Sequence, residues 1–263
     1  MSRISKKFRE LKNQKRKALI PFITAGDPSL AATEKLIFRL EAAGADLIEL
    51  GVPFSDPMAD GPVIQASSER ALRKKIDLQK IFKLVARVRK KTQIPILLMG
   101  YYNPIFAMGP EKFAKKAAVA GVDGVLTVDL PPEEAAPLAR CLKKNRIDPI
   151  FLLAPTSDGE RIQKAARIGS GFLYYVSLTG ITGARLTINR ELADQVKKIR
   201  SMSRLPVVVG FGISNPKEAR LLSRLSDGIV IGSLLVSKLN PLTPANVKKI
   251  SQLVQKISHT INN

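Results

Sequence analysis

A chain of 263 residues with 45% hydrophobic content can bury one sizeable core, and it lies at the upper edge of single-domain size, where α/β barrels are found. A single cysteine, Cys141, rules out an internal disulfide framework and fits a reducing cytosol, and a single histidine, His259, leaves no material for a histidine triad or a multi-histidine metal site, so acid–base chemistry falls to carboxylates. The net charge of +21 admits nucleic acid, an acidic membrane surface or an acidic protein as partner, but the basic residues are dispersed over many segments without interleaved aromatics, as on solvated helix faces, and no apolar run approaches the roughly 18 residues of a membrane span.

The chain begins with its densest basic cluster, "SRISKKFRELKNQKRK", in which Ile4, Phe8 and Leu11 recur at helical spacing; residues 1–17 are expected to form a basic amphipathic helix rather than a targeting peptide. From there short apolar runs alternate with helix-length segments. The runs are "ALIPFITA", "DLIELG", "IPILLMG", "DGVLTVD", "DPIFLLA", "GFLYYVS", "LPVVVGFG" and "DGIVIGS". In the segment "AATEKLIFRLEAAG", Leu36, Ile37 and Leu40 share a helix face and Gly44 supplies a stop. Such alternation indicates parallel strands covered by helices, and eight strands close a barrel. The expected fold is a (β/α)8 TIM barrel with an extra N-terminal helix, residues 1–263 forming one domain. An open doubly wound sheet is the alternative that periodicity leaves standing.

In a parallel barrel the chemistry gathers at the C-terminal ends of the strands. Glu49 falls at such an end, on the same strand face as Leu47, with Ile48 and Leu50 on the other. If that face points inward, the carboxylate sits at the barrel mouth, where burial raises its pKa and suits it to proton transfer; a structural ion pair is the other reading. The next loop, "GVPFSDPMADGP", carries Asp56 and Asp60 between Pro53, Pro57 and Pro62, stiff enough to bring a second carboxylate over the mouth, although Asp, Pro and Gly also form ordinary turns. After the last two strands stand Gly210 and Gly212, then Gly232 and Ser233, the glycine-rich loops in which this fold commonly cradles a phosphate. "SLTGITGAR" has the composition of a closing lid, and no dinucleotide fingerprint is present.

These motifs together resemble a known family. From "IPFITAGDPS" through "ELGVPFSDPMADGPVIQ", "MGYYNPI", "GVDGVLTVDLPPEE" and "LLAPTS" to "GITGAR", "VVVGFGIS" and "GIVIGS", the chain is similar over nearly its whole length to the alpha chain of tryptophan synthase. The resemblance implies a lyase that cleaves indole-3-glycerol phosphate to indole and glyceraldehyde 3-phosphate by a retro-aldol reaction in the cytoplasm. It implies no cofactor on this chain, and pyridoxal phosphate on a partner beta chain in an alpha2beta2 heterotetramer. It assigns Glu49 as the acid–base catalyst and Asp60 as the partner carboxylate at the indole N–H. Phe22, Tyr102, Asp129, Tyr175 and Phe211 are implied in the substrate pocket, Gly183, Gly212, Gly232 and Ser233 at the phosphate, Thr182 in the lid at 177–185, and Pro53 and Asp56 in communication with the beta chain. An allosteric regulator of the beta chain with weak turnover of its own is the non-enzymatic alternative.

Overall fold

The computed structural model describes residues 1–176, 190–210 and 212–263. Helix α1 (Arg3–Asn13) precedes β1 (Ala18–Thr24), and then come α2 (Leu30–Ala42), β2 (Ile48–Gly51), α3 (Pro62–Arg73), α4 (Leu78–Arg89) and β3 (Ile96–Gly100). The middle of the chain supplies α5 (Tyr102–Met108), α6 (Pro110–Ala120), β4 (Gly124–Thr127), α7 (Ala136–Lys144), β5 (Asp148–Leu153), α8 (Gly159–Ile168) and β6 (Leu173–Val176). The last quarter holds α9 (Arg190–Met202), β7 (Val207–Gly210), α10 (Pro216–Leu225), β8 (Gly228–Ile231), α11 (Ser233–Val236) and α12 (Pro244–Asn262). The eight strands pair in sequence order, all parallel, and β8 returns to β1. The sheet is therefore a closed TIM barrel, not an open doubly wound one. Among the described residues, no helix is long and apolar enough to cross a membrane.

Two apolar layers follow from the alternation of side chains along each strand. Ile48 and Leu50 of β2, Leu173 and Tyr175 of β6 and Val207 and Val209 of β7 point outward and pack under the helices. Ile20, Phe22, Leu47, Leu97, Leu126, Ile150, Tyr174, Val208 and Val230 fill the interior. Helix α1 closes the lower end of that interior: Ile4, Phe8 and Leu11 enter it, and the Phe8 ring lies 5.5 Å from that of Phe172.

The N-terminal helix is shorter than its basic composition suggests. It runs from Arg3 to Asn13, begun by the Ser2 hydroxyl accepting the Ser5 N–H, and it ends before the basic run does. Lys15 takes a positive φ of 55°, which turns the chain toward β1. Charge carries no helical phase, so the apolar triplet at 4, 8 and 11 marks the helix better than the lysines around it.

Candidate active site

At the upper end of the barrel the strands open into a cavity of about 460 Å³. Its lining is chemically mixed: Phe22, Ile64, Met99 and Val230 contribute apolar surface beside the polar groups of Glu49, Asp60 and Tyr174, and Gly212, Ser214, Gly232, Ser233 and Ser237 contribute backbone and hydroxyl groups. Among the described residues no lysine or arginine lines it.

Glu49 enters this cavity because β2 places 47 and 49 on the inner face, in register with Phe22 of β1 and Leu97 of β3. The residue is only 1% exposed, and among the described residues its Oε1 is the one buried side-chain polar atom without a hydrogen-bond partner. Burial, reinforced by the charge of Asp60, raises its pKa to about 8. Glu49 therefore keeps its proton at neutral pH.

Asp60 comes from the loop between β2 and α3. The Asp60 N–H donates to the Pro57 carbonyl at 3.0 Å, and the Gln65 amide donates to the Asp60 carbonyl at 2.8 Å. Burial raises the Asp60 pKa to about 6, opposed by a hydrogen bond from Tyr101. The two carboxylates are thus separated in proton affinity: near pH 7 Asp60 is charged, and its charge helps hold the proton on Glu49.

The glycines of the lining have different reasons to be there. Gly212 adopts a φ of 54°, a conformation that L side chains rarely take. Gly210 makes room for its neighbour, since a Cβ there would collide with the Tyr174 hydroxyl. Gly232 and Ser233 open the short α11, with Gly232 facing Phe22 across ordinary van der Waals distance. Ser214 donates both its N–H and its hydroxyl to Glu218.

Several residues implied by resemblance lie elsewhere. Tyr175 is buried under the helices on the outer face of β6, and the tyrosine in the cavity is Tyr174, whose hydroxyl pKa rises well above its usual value through burial and the charge of Glu49. Tyr102 starts α5, where its ring packs 5.9 Å from Phe106 and its N–H donates to Asp129 Oδ1 at 2.7 Å. Asp129 is accordingly an anchor for that helix, and the tyrosine beside Asp60 is Tyr101. Pro53 is buried, whereas Asp56 is exposed and accepts the Ser55 hydroxyl at 2.6 Å; the exposed apolar residue of this loop is Met58. Thr182, Gly183 and Phe211, with the rest of the lid at 177–185, lie outside the described residues. Tyr101, Tyr174, Ile64 and Gln65 escaped the sequence reading. Counting by twos from Leu97 through Met99 reaches Tyr101, and counting from Phe172 reaches Tyr174.

The profile of the family described as "Tryptophan synthase alpha chain" matches residues 8–262. A protein of that name from Citrifermentans bemidjiense is 61% identical over 236 residues, covering 90% of this chain and 88% of its own. The crystal structure of tryptophan synthase subunit alpha from Legionella pneumophila superposes with a TM-score of 0.93 at 39% identity, covering 99% of this chain and 98% of that one. A chain from the tryptophan synthase a2b2 complex of Pyrococcus furiosus superposes with a TM-score of 0.85 at 37% identity, covering 92% and 98%.

Proposed function

The chain belongs to the tryptophan synthase alpha chain family, and on that premise we propose that it is the alpha subunit of tryptophan synthase, a lyase that cleaves indole-3-glycerol phosphate to indole and D-glyceraldehyde 3-phosphate. The observation that carries this reading is the buried Glu49, with Oε1 unpartnered among the described residues, sharing a cavity with an acidic loop residue of lower pKa.

Cleavage of the bond between indole C3 and the glycerol carbon expels a carbon leaving group, so C3 has to be protonated. Glu49, protonated at neutral pH, gives its proton to C3. The ring nitrogen then carries the positive charge, and the Asp60 carboxylate stabilises it as a fixed charge beside apolar side chains. The Glu49 carboxylate next takes the proton of the hydroxyl on the adjacent glycerol carbon. The O–H electron pair becomes the aldehyde C=O, and the electrons of the broken C–C bond return to the ring. One proton has left Glu49 and one has come back, so no external acid is consumed. Phe22, Ile64, Met99 and Val230 offer apolar surface to the indole, and Gly212, Gly232 and Ser233 offer backbone and hydroxyl groups to the phosphate.

The partner in this reading is a tryptophan synthase beta chain carrying pyridoxal phosphate, in an alpha2beta2 assembly in the cytoplasm. The a2b2 composition of the Pyrococcus furiosus relative supports it. The loop that holds Asp60 also carries exposed Asp56 and Met58, so a protein docked there acts on the position of the carboxylate.

The test is a product assay. The purified chain, alone and with its cognate beta chain, should form indole and glyceraldehyde 3-phosphate in equal amounts from indole-3-glycerol phosphate, faster in the complex. No indole in either setting would contradict the lyase assignment, and retained binding with altered beta-chain turnover would then leave the regulator.

A further inference from the structure

A carboxylate that has to face one atom of a substrate needs its direction held, and loops hold direction poorly by themselves. Asp60 stands on a loop, and a neighbouring strand supplies the grip. Tyr101, the residue after β3, is 4% exposed, and its hydroxyl accepts the Ala59 N–H at 3.0 Å. That bond leaves the phenol hydrogen free to be directed at the neighbouring Asp60 carboxylate, whose charged form Tyr101 favours. The ring itself is clamped. Phe54, from the same loop, stacks on it with centroids 4.9 Å apart and planes 26° apart. Gln65 of α3 fixes the carbonyl of Asp60 independently.

We propose that Tyr101 is a positioning residue for Asp60: with its ring held under Phe54 and its hydroxyl anchored at Ala59, it keeps the Asp60 carboxylate turned into the cavity. The proposal rests on the reading of Asp60 as the group that stabilises charge on the indole nitrogen. It goes further in making the order of that side chain depend on a residue of β3 and on a ring in the exposed loop. A contact that moves Phe54 then reaches Asp60 through one stacked pair and one hydrogen bond.

Among the described residues, the charges facing this group are few. Glu49 on β2 and Tyr101 face Asp60, Tyr174 on β6 faces Glu49, and Asp129 beyond β4 acts on Tyr101. Asp56 on the loop is exposed and bonded to Ser55. Burial raises the Asp60 pKa to about 6, and the Tyr101 bond works against that rise by favouring the charged form. Activity that needs Asp60 charged is present above this pKa and falls as pH drops through it. Without the hydroxyl, the fall begins at higher pH.

Tyr101→Phe tests the proposal, because it removes the hydroxyl and leaves the stacked ring. In the complex with the cognate beta chain, kcat for indole formation should fall roughly 10-fold, in the range of a lost hydrogen bond to a charged group. The acid limb of the pH profile should move to higher pH, and KM should change less than about threefold if ground-state binding is untouched. Phe54→Leu keeps the hydroxyl and removes the stack, and should shift both readouts in the same direction by less. An unchanged acid limb and near wild-type kcat in both folded variants would overturn the proposal. Asp60→Asn is measured alongside: if it is crippled while Tyr101→Phe behaves as wild type, positioning by Tyr101 is wrong and the reading of Asp60 stands. If Asp60→Asn cleaves at the wild-type rate, the reading of Asp60 falls and the proposal falls with it.

Discussion

Both ends of the barrel bury carboxylates, and the two sets are treated in opposite ways. At the lower end the buried Asp46 and Asp123 and the half-buried Asp227 stand just before β2, β4 and β8, and each accepts the N–H of a residue on the preceding strand: Leu19 at 3.0 Å, Ile96 at 2.8 Å and Val207 at 2.9 Å. Each also faces an arginine: Arg16 at 3.7 Å, Arg89 at 2.8 Å with Arg3 at 3.0 Å, and Arg200 at 3.1 Å. Asp148, at the start of β5, accepts the hydroxyls of Ser170 and Ser2. At the upper end, Glu49 has an unpartnered oxygen among the described residues and a second carboxylate for a neighbour. Burial pushes the pKa of Asp46 and Asp123 up as it does that of Glu49, so a raised pKa does not by itself mark a catalytic group. The distinction lies in the partners. A buried carboxylate whose oxygens are held by arginine, backbone N–H or hydroxyl groups is part of the frame, and one with an unpartnered oxygen is available to a substrate.

The sharpest way to break this comparison is to neutralise one member of each set. Glu49→Gln should lower indole formation about 10² or more while the protein stays folded and binds substrate. It should also stabilise the chain. The folded pKa of about 8 lies above the usual carboxyl value of 4.5, so the wild type loses stability as pH rises between them. The glutamine variant escapes that loss. Its advantage should grow from pH 5 to pH 8 and level off above, reaching roughly 3–5 kcal/mol, readable as a rising difference in Tm. A destabilised variant would show that Glu49 is held by partners like the lower set.

At the lower end the signs reverse. Asp123→Ala strands Arg89, which is 11% exposed, and removes the acceptor of the Ile96 N–H. It should cost about 3 kcal/mol of stability, seen in denaturant unfolding, with the rate per folded molecule within about twofold of wild type. Arg200→Ala is the mild case. That ion pair is partly exposed, 44% and 29% for its two side chains, so its loss should cost about 1 kcal/mol or less, with no change in turnover.

The frame was legible in the sequence to a degree the site was not. The aspartates that open "DLIELG", "DGVLTVD", "DPIFLLA" and "DGIVIGS" stand at the lower ends of their strands, and Glu49 could be placed at the mouth from the alternation about Leu47. The same alternation reaches the inward tyrosines only once Leu97 and Phe172 are known to face the interior. Tyr101 and Tyr102 are adjacent, as are Tyr174 and Tyr175, and two identical neighbours offer no polar contrast to say which faces inward. A shift of one position turns a residue to the opposite face, so it is Tyr174, not Tyr175, that lines the cavity, and Tyr101, not Tyr102, that stands beside the loop of Asp60. Asp129 is a different case. Its bond is to a backbone N–H at the start of α5, and nothing in its neighbours distinguishes a helix anchor from a pocket acid.

The proton of Glu49 is what separates the upper end of the barrel from the lower. Infrared difference spectra of the ligand-free chain against Glu49→Gln, recorded from pH 5 to pH 9, follow the carbonyl stretch of a protonated carboxylic acid directly. The predicted result is a band that belongs to Glu49, persists through pH 7 and disappears around pH 8. A Glu49 already ionised at pH 6 would mean that it has a partner, and that the two ends of the barrel hold their carboxylates in the same way.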